Sequence, residues 1–536
     1  MYPIFLLSGP LSSGKSQLAT AFSARFEAKR VSTRELLLRV QPNADRDALI
    51  KLGLELDAET DEKWVLQEFL ATAGSALTQR IWLVDAVRTP KQIEHFRTYF
   101  KDKPEFRVVH IHLSAPLGVL RQRYLERPNE IQEFASYDEA KKHGTEANIE
   151  DLANLADHVL DSHRNDAASL LARSAAGLGL HPIRNERCVD VLVGAQFGSE
   201  GKGNICAHIA NDYDVLMRVG GPNAGHKVAH PEYTYVQLPS GTLSNPTAKI
   251  LIGAGATLSQ MQVLREIKDL ELIRERLSID PQAIIIEDTD IQQEKGSLEV
   301  IGSTKKGVGV ATARKIMGRD GEEHWGNKVR LARDVPEFKD YVRCTKTELE
   351  KAYAAGANVL LEGTQGTDLS IHHGSYPHVT SRETTASGCL ADAGIAPTRV
   401  RRVIMVMRSY PIRVGGTSGP MMKEIEFATV AERSGIEVEA IGKTEIGTVS
   451  GKKRRIGEFD WDQVRRAAVL NGATDIALTF GDYIDVRNRS ARKFSQLTNQ
   501  TRDFIEEVEQ LTGAKVSLIT NGFGKDAVII DRRHWK

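Results

Sequence analysis

The chain has 536 residues, with 71 basic side chains against 71 acidic ones for a net charge of zero, and 41% of its residues are apolar. That length and apolar share call for more than one packed core and exclude disordered, collagenous and fibrous classes. Balanced charge gives no chain-level pull toward nucleic acid or a membrane surface, so neither is expected as a partner.

Residues 4–7 are apolar, lack a basic flank and run into a glycine turn, which reads as a first strand, Tyr2–Ser8, and not as a signal peptide. Elsewhere no apolar run approaches the roughly 18 residues of a membrane span. The turn that follows, Gly9-Pro-Leu-Ser-Ser-Gly-Lys-Ser16, matches the phosphate-loop pattern G-x-x-x-x-G-K-[ST] in full, ahead of a helix predicted over 17–26. In such a loop the backbone around Gly9 and Gly14 cradles phosphates, Lys15 neutralises β and γ oxygens, and Ser16 is a Mg2+ ligand. Strands are predicted over 81–85, 107–113 and 158–161, with a helix over 167–177. Strands alternating with helices make a parallel α/β sheet. Arg34, Arg88, Arg121, Arg123 and Arg127 fall toward the carboxyl ends of these strands, where their forks suit the phosphate oxygens of a donor and an acceptor. With the loop, this spacing resembles the small nucleoside monophosphate kinases.

The aperiodic, glycine- and proline-bearing stretch 177–186 marks a boundary, giving a kinase-like domain over 1–180 and a second domain over 187–536. The second repeats the opening of the first: a strand over 188–193, then Gly194-Ala-Gln-Phe-Gly-Ser-Glu-Gly-Lys-Gly203. The expected class is therefore α/β, two domains, each a mainly parallel sheet flanked by helices with a phosphate-binding loop after its first strand. Cys188, Cys206, Cys344 and Cys389 lie far apart with no C-x-x-C pair. They form neither a disulfide framework nor a zinc knuckle, and a reduced, cytoplasmic setting is expected.

Seven further motifs follow in order. They are Gly198-Ser-Glu-Gly-Lys-Gly203, Gly221-Pro-Asn-Ala-Gly-His226, Ile301-Gly-Ser-Thr304, Glu362-Gly-Thr-Gln-Gly-Thr367, Tyr376-Pro-His-Val-Thr-Ser381, Gly451-Lys-Lys-Arg-Arg455 and Leu478-Thr-Phe-Gly-Asp482. Together they make the second half similar to the adenylosuccinate synthetase family. That resemblance implies a ligase that phosphorylates O6 of a 6-oxopurine nucleotide and then displaces the phosphate with the amine of aspartate. Lys202, the loop amides and His226 would surround the transferring phosphoryl group, with His226 as general acid. Gln365 would hold the base near O6, and Gly225 would offer a carbonyl to Mg2+. The resemblance further assigns Gly198, Gly201, Gly203, Asn223, Ser303, Thr304, Thr380, Asp482 and Gly522 to nucleotide binding, and Thr448, Lys452 and Arg454 to aspartate. It implies Mg2+, GTP or ATP as donor, and a homodimer.

Several positions depart from the family. Ser199 stands where its members carry the aspartate that takes the N1 proton and ligates magnesium, and a serine hydroxyl titrates far too high for that task. A bacteriophage branch shares this serine and uses dGMP, which favours dGMP here; ordinary IMP amination and an inactive nucleotide sensor are the alternatives. Lys452 replaces an arginine and loses the bidentate fork while keeping the charge. Phe480 replaces a lysine near the donor base, so ATP stays open beside GTP. The stretch Arg314-Lys-Ile-Met-Gly-Arg319 carries its arginine one residue off the register of the family's cross-subunit contact.

Overall fold

A computed structural model describes residues 2–127, 134, 136–142, 146–176, 178, 180, 186–297, 301–446, 451 and 453–534. The chain divides into two compact units, Met1–Ile183 and Arg184–Lys536.

In the first unit the strands are β1 (Tyr2–Ser8), β2 (Lys29–Ser32), β3 (Trp82–Asp85), β4 (Phe106–Ser114) and β5 (His158–Asp161). They pair in the order β2-β3-β1-β4-β5, all parallel. Alternation along β1 sends Ile4 and Leu6 into one apolar layer with Phe69 and Phe96, and Phe5 and Leu7 into the other with Leu18 and Phe22. Both faces are therefore covered by helices, as a parallel sheet requires. The register Leu7↔Asp85 brings the carboxyl ends of β1 and β3 side by side, so the loop from Gly9 opens beside Asp85. Gly14 has φ +95°, a left-handed turn that glycine enters freely, and the helix Lys15–Phe26 starts on the next residue.

The second unit contains β6 (Val189–Gly194), β7 (Val215–Arg218), the hairpin β8 (His226–Ala229) and β9 (Glu232–Tyr235), β10 (Lys249–Ile252), β11 (Thr257–Leu258) and β12 (Leu277–Ile279). After these come β13 (Ile284–Ile285), β14 (Val359–Glu362), β15 (Val400–Arg408), β16 (Ile412–Val414), β17 (Glu424–Ile425) and β18 (Arg454–Gly457). Three more close the unit: β19 (Asp475–Thr479), β20 (Lys515–Thr520) and β21 (Ile529–Asp531). Nine of them form one sheet, β12-β10-β7-β14-β6-β15-β19-β20-β21, parallel except for the antiparallel pair β20 and β21. Val189, Val191 and Val193 face one core layer with Met405, Val464 and Ile505, and Leu192 faces the other with Ile205, Ile250 and Ile404. Gly201, at φ +90°, starts the helix Lys202–Ile209 just as Gly14 starts the helix of the first unit.

β19 ends at Thr479, because Phe480 turns into the left-handed region at φ 58°. In the stretch 314–319, Arg314 is fully buried and bound to Asp290 (2.7 and 3.1 Å) and to the carbonyls of Ile285 and Lys328 (2.8 and 2.7 Å). It is a core residue, while Arg319 is exposed. Arg314→Ala leaves Asp290 as an uncompensated buried charge and is expected to cost the second unit about 3–5 kcal/mol. Denaturant unfolding checks this, with Arg319→Ala as the silent comparison.

Candidate active sites

The first unit carries a cavity of about 840 Å3 at the carboxyl ends of β1 and β3. Gly14, Lys15 and Ser16 line it; the Lys15 ammonium donates to the carbonyls of Gly9 (2.7 Å) and Pro10 (2.9 Å). Burial pulls the Lys15 pKa down to about 8, helped by Arg88 and opposed by Glu146 and Asp85, so the group is charged at pH 7. Gly9 sits behind the loop, where an added Cβ would meet the Leu113 carbonyl at 2.3 Å. Arg34, Arg88, Arg123 and Arg127 line the cavity, as does Arg30, which the sequence reading missed. Arg121 does not. It lies on the helix Leu117–Leu125, half exposed, and pairs with Asp138 at 2.8 Å. Positions two apart on a helix face in different directions, so Arg121 and Arg123 cannot both reach one cavity.

The second unit holds a cavity of about 760 Å3, also at strand carboxyl ends. Gly198, Ser199, Gly201, Lys202, Gly203, Asn223, Gly225, His226, Ser303, Thr304, Gln365, Thr380 and Arg454 all line it. Thr448 and Lys452 lie outside the described residues. Lys202 is buried and bound to Glu200 at 2.7 Å, while the other Glu200 oxygen accepts the amides of Gln196 and Gly198 (3.0 and 2.7 Å). Gln365 donates to Thr380 Oγ1 at 2.6 Å, and Asn223 Oδ1 is buried without a partner.

His226 begins β8, and its Nδ1 meets Oε1 of Glu362, the last residue of β14, at 2.5 Å. Glu362 also accepts the amide (2.7 Å) and hydroxyl (2.5 Å) of Ser240. Burial favours the protonated carboxyl, but the Arg218 charge and the hydrogen bonds from His226 and Ser240 outweigh it and hold Glu362 below the usual carboxylate range. The carboxylate is thus ionised and takes the proton on Nδ1. Burial, with Arg218, pushes His226 down to about 4, so the free site holds a neutral imidazole whose Nε2 is bare, buried and without a partner. An anionic phosphoryl group beside Nε2 favours the charged imidazole and raises that pKa. Nucleotide binding at pH 6 is therefore expected to take up protons, and affinity to rise as pH falls. Calorimetry in buffers of different ionisation enthalpy measures the uptake, and His226→Ala should remove it.

Arg408 and Arg413, at and beyond the end of β15, were missed, although basic residues at a strand end are a readable signal. Arg408 Nη1 donates to the Ser199 carbonyl at 3.3 Å, and its guanidinium lies 3.6 Å from the Phe480 ring centroid. Buried Glu445 binds Arg408 together with Arg454 (3.1 Å) and Tyr483 (2.8 Å). Among the described residues, Glu294 is the carboxylate lining this cavity, and both its oxygens are used, on the amides of Gly307 and Gly309 at 2.7 Å each. At one end the rings of Phe480 and Phe523 lie 7° from parallel with centroids 6.5 Å apart. Beside them Asp482 and Asn521 each bury one oxygen without a partner, and an added Cβ on Gly522 would stand 3.3 Å from Asp482.

A family model described as adenylosuccinate synthetase matches residues 191–325 and 328–489. The chain belongs to the adenylosuccinate synthetase family. An adenylosuccinate synthetase of Pyrococcus sp. (strain ST700) is 37% identical over 353 residues, covering 64% of this chain and 98% of that protein. One of Methanocaldococcus jannaschii is 38% identical over 344 residues, covering 62% and 93%. Among solved structures, fully ligated adenylosuccinate synthetase from Plasmodium falciparum superposes with a TM-score of 0.55 at 21% identity, covering 64% of this chain and 99% of that one. The cyanophage S-2L succinoaminodeoxyadenylate synthetase, bound to dGMP and to dATP as energy donor, gives 0.53 at 27% identity, covering 64% and 95%. The matched family residues all fall in the second unit, whose activity is that of an adenylosuccinate synthetase-like ligase for a purine nucleotide and aspartate. Among the described residues no helix is long and apolar enough to cross a membrane.

Proposed function

We propose that the second unit joins aspartate to C6 of dGMP through a 6-phosphoryl intermediate, at the expense of a purine triphosphate. Ser199 is the observation that carries this reading. A hydroxymethyl group in place of a carboxymethyl leaves room in the cavity for the 2-amino group that guanine has and hypoxanthine lacks. The likeness to the cyanophage enzyme, whose structure holds dGMP, supports it. Protonated once an anionic phosphoryl group lies beside it, Nε2 of His226 becomes a donor to that group. Lys202, Arg408 and Arg413 supply fixed positive charge, which acts where negative charge develops. Arg454 and Arg408, tied together by Glu445, are suited to the carboxylates of aspartate.

The near-parallel rings of Phe480 and Phe523, with centroids 6.5 Å apart, form an aromatic wall on which the donor base stacks. Two buried acceptors beside it match the N1-H and 2-amino donors of guanine, so GTP is the preferred donor and ATP the alternative. Among the described residues no group of three or more His, Cys, Asp or Glu forms a metal cage. A Mg2+ ion that keeps its waters and leans on phosphate oxygens suits that donor set, with the Gly225 carbonyl as a protein ligand in the second unit and Ser16 in the first. When bound it neutralises charge on the transferring phosphoryl oxygens. The first unit, on the strength of its complete phosphate loop, is a phosphoryl-transfer unit. The chain acts as a homodimer in the cytoplasm, as its family resemblance and cysteine usage imply.

The test is incubation of the whole chain with Mg2+, aspartate and GTP or ATP, with dGMP, GMP, IMP and dIMP offered in turn and succinylated product sought by mass spectrometry. Product from dGMP is the expected result. Product from IMP alone would make this an ordinary adenylosuccinate synthetase, and nucleotide binding with no product would leave a sensor. Lys15→Ala should abolish any transfer by the first unit while the ligase persists.

A further inference from the structure

The arginines assigned to an acceptor phosphate in the first unit are largely committed to other groups. Arg88 pairs with buried Glu146, Arg121 with Asp138, and Arg123 bonds the hydroxyl and carbonyl of Ser162 (3.0 and 2.8 Å); Arg30, which also lines the cavity, pairs with Asp85. A second phosphate would bring two negative charges to a cavity whose cations are already partly neutralised. A hydroxyl acceptor asks for something else: a carboxylate oxygen next to the phosphate loop.

Asp85 meets that need. It ends β3 beside Leu7 of β1, it is buried, and it lines the cavity with Lys15. Arg30 holds it through Nε (3.0 Å) and Nη2 (2.5 Å), and both contacts fall on Oδ2. Oδ1 makes no hydrogen bond among the described residues. Away from the loop the cavity turns apolar, walled by Leu37, Leu49, Ile50, Leu54 and Trp64. One carboxylate interrupts that wall: Asp57, whose Oδ1 accepts from Trp64 Nε1 (2.7 Å) and Gln92 Nε2 (3.1 Å) while Oδ2 makes no hydrogen bond among the described residues. A flat body with an N-H edge suits that chamber, as a hydroxyl suits Asp85. We propose that the first unit transfers the γ-phosphoryl group of a purine triphosphate to a hydroxyl group of a nucleoside, with Asp85 accepting the hydroxyl proton.

This deepens, and rests on, the reading of the first unit as a phosphoryl-transfer unit. The hydroxyl oxygen bonds to the γ-phosphorus, and the bond from that phosphorus to the β–γ bridging oxygen breaks, its electron pair leaving on the diphosphate. The proton passes to Asp85 and on to solvent. The loose transition state of phosphoryl transfer needs little basicity, so a carboxylate paired with Arg30 is sufficient. The product, a nucleoside monophosphate, is the substrate class of the ligase in the same chain.

The experiment uses the whole chain with Mg2+ and γ-labelled ATP or GTP, offered deoxyguanosine, guanosine and adenosine in one series and dGMP, GMP and AMP in the other. Triphosphate affinity is measured in parallel with a fluorescent ATP analogue. Label on a nucleoside is expected, with Asp85→Asn losing about 10²- to 10⁴-fold in kcat at an unchanged triphosphate affinity, which also reports that the variant is folded. Label on the monophosphates alone would overturn the proposal and leave phosphoryl transfer standing, as would an Asp85→Asn variant of full activity. Triphosphate binding with no transfer to either series would overturn both readings.

Discussion

Replacing His226 with alanine lowers the ligase kcat by about 10³-fold while leaving the substrate KM values within roughly threefold, as expected for a group that acts on charge developing in the transition state. The expectation follows from three contacts. Glu362, ionised and fixed by Ser240, dictates the proton on Nδ1, and Nε2 is then the nitrogen left for a ligand. The site is dry enough to hold the free imidazole near a pKa of 4, so its charge appears only when an anion arrives to stabilise it. Glu362→Gln tests the positioning half. An amide keeps the shape but no longer fixes the tautomer, and a loss of about 10²-fold in kcat with a shifted pH profile is expected. Steady-state and single-turnover rates decide it: a His226→Ala enzyme retaining a tenth of kcat would assign the proton chemistry to another group.

Both phosphate loops were legible because they obey a local rule. A buried strand followed by glycine-rich sequence needs no long-range information, and Gly14 and Gly201 occupy the left-handed turn that starts each helix. Strand β2 was invisible for the opposite reason, since Lys29-Arg-Val-Ser32 is short and charged and becomes a strand only by pairing with β3. Likewise Arg314 lies in a basic stretch that reads as surface, and only the fold shows Asp290 waiting in the core to neutralise it.

The ligase site was legible where motifs carry it and dark where the sheet assembles it. Ser199, Lys202, His226 and Gln365 sit inside recognisable glycine-rich segments, and the cavity gathers all four. Glu362 was quoted within a motif yet given no task, because its partner His226 is 136 residues away. Arg408 and Glu445 form their ion pair only through the packing of β15 against a later loop. In the first unit most of the arginines were legible as a set, but Arg30 and the ion pairs Arg30–Asp85 and Arg88–Glu146 were not, because their members lie 55 and 58 residues apart in the chain.

Ser199→Asp is expected to exchange the ligase's substrate preference, raising kcat/KM for IMP by about 10²-fold through a restored general base and lowering it for dGMP by at least about tenfold through crowding at the 2-amino group. The backbone at this position is held by Arg408 on the Ser199 carbonyl, so a longer side chain must extend into the cavity and cannot swing the loop away. Lys202 and Arg408 stabilise the new carboxylate as an anion, the form able to accept the N1 proton. Ser199→Ala separates space from chemistry: with the hydroxyl gone but the room kept, dGMP turnover stays within roughly tenfold of the parent, because a serine hydroxyl is not the base. Rates with dGMP, GMP, IMP and dIMP for the three enzymes decide the matter. If the aspartate variant still prefers dGMP, the 2-amino group is accommodated elsewhere in the cavity, and Ser199 has no part in choosing the substrate.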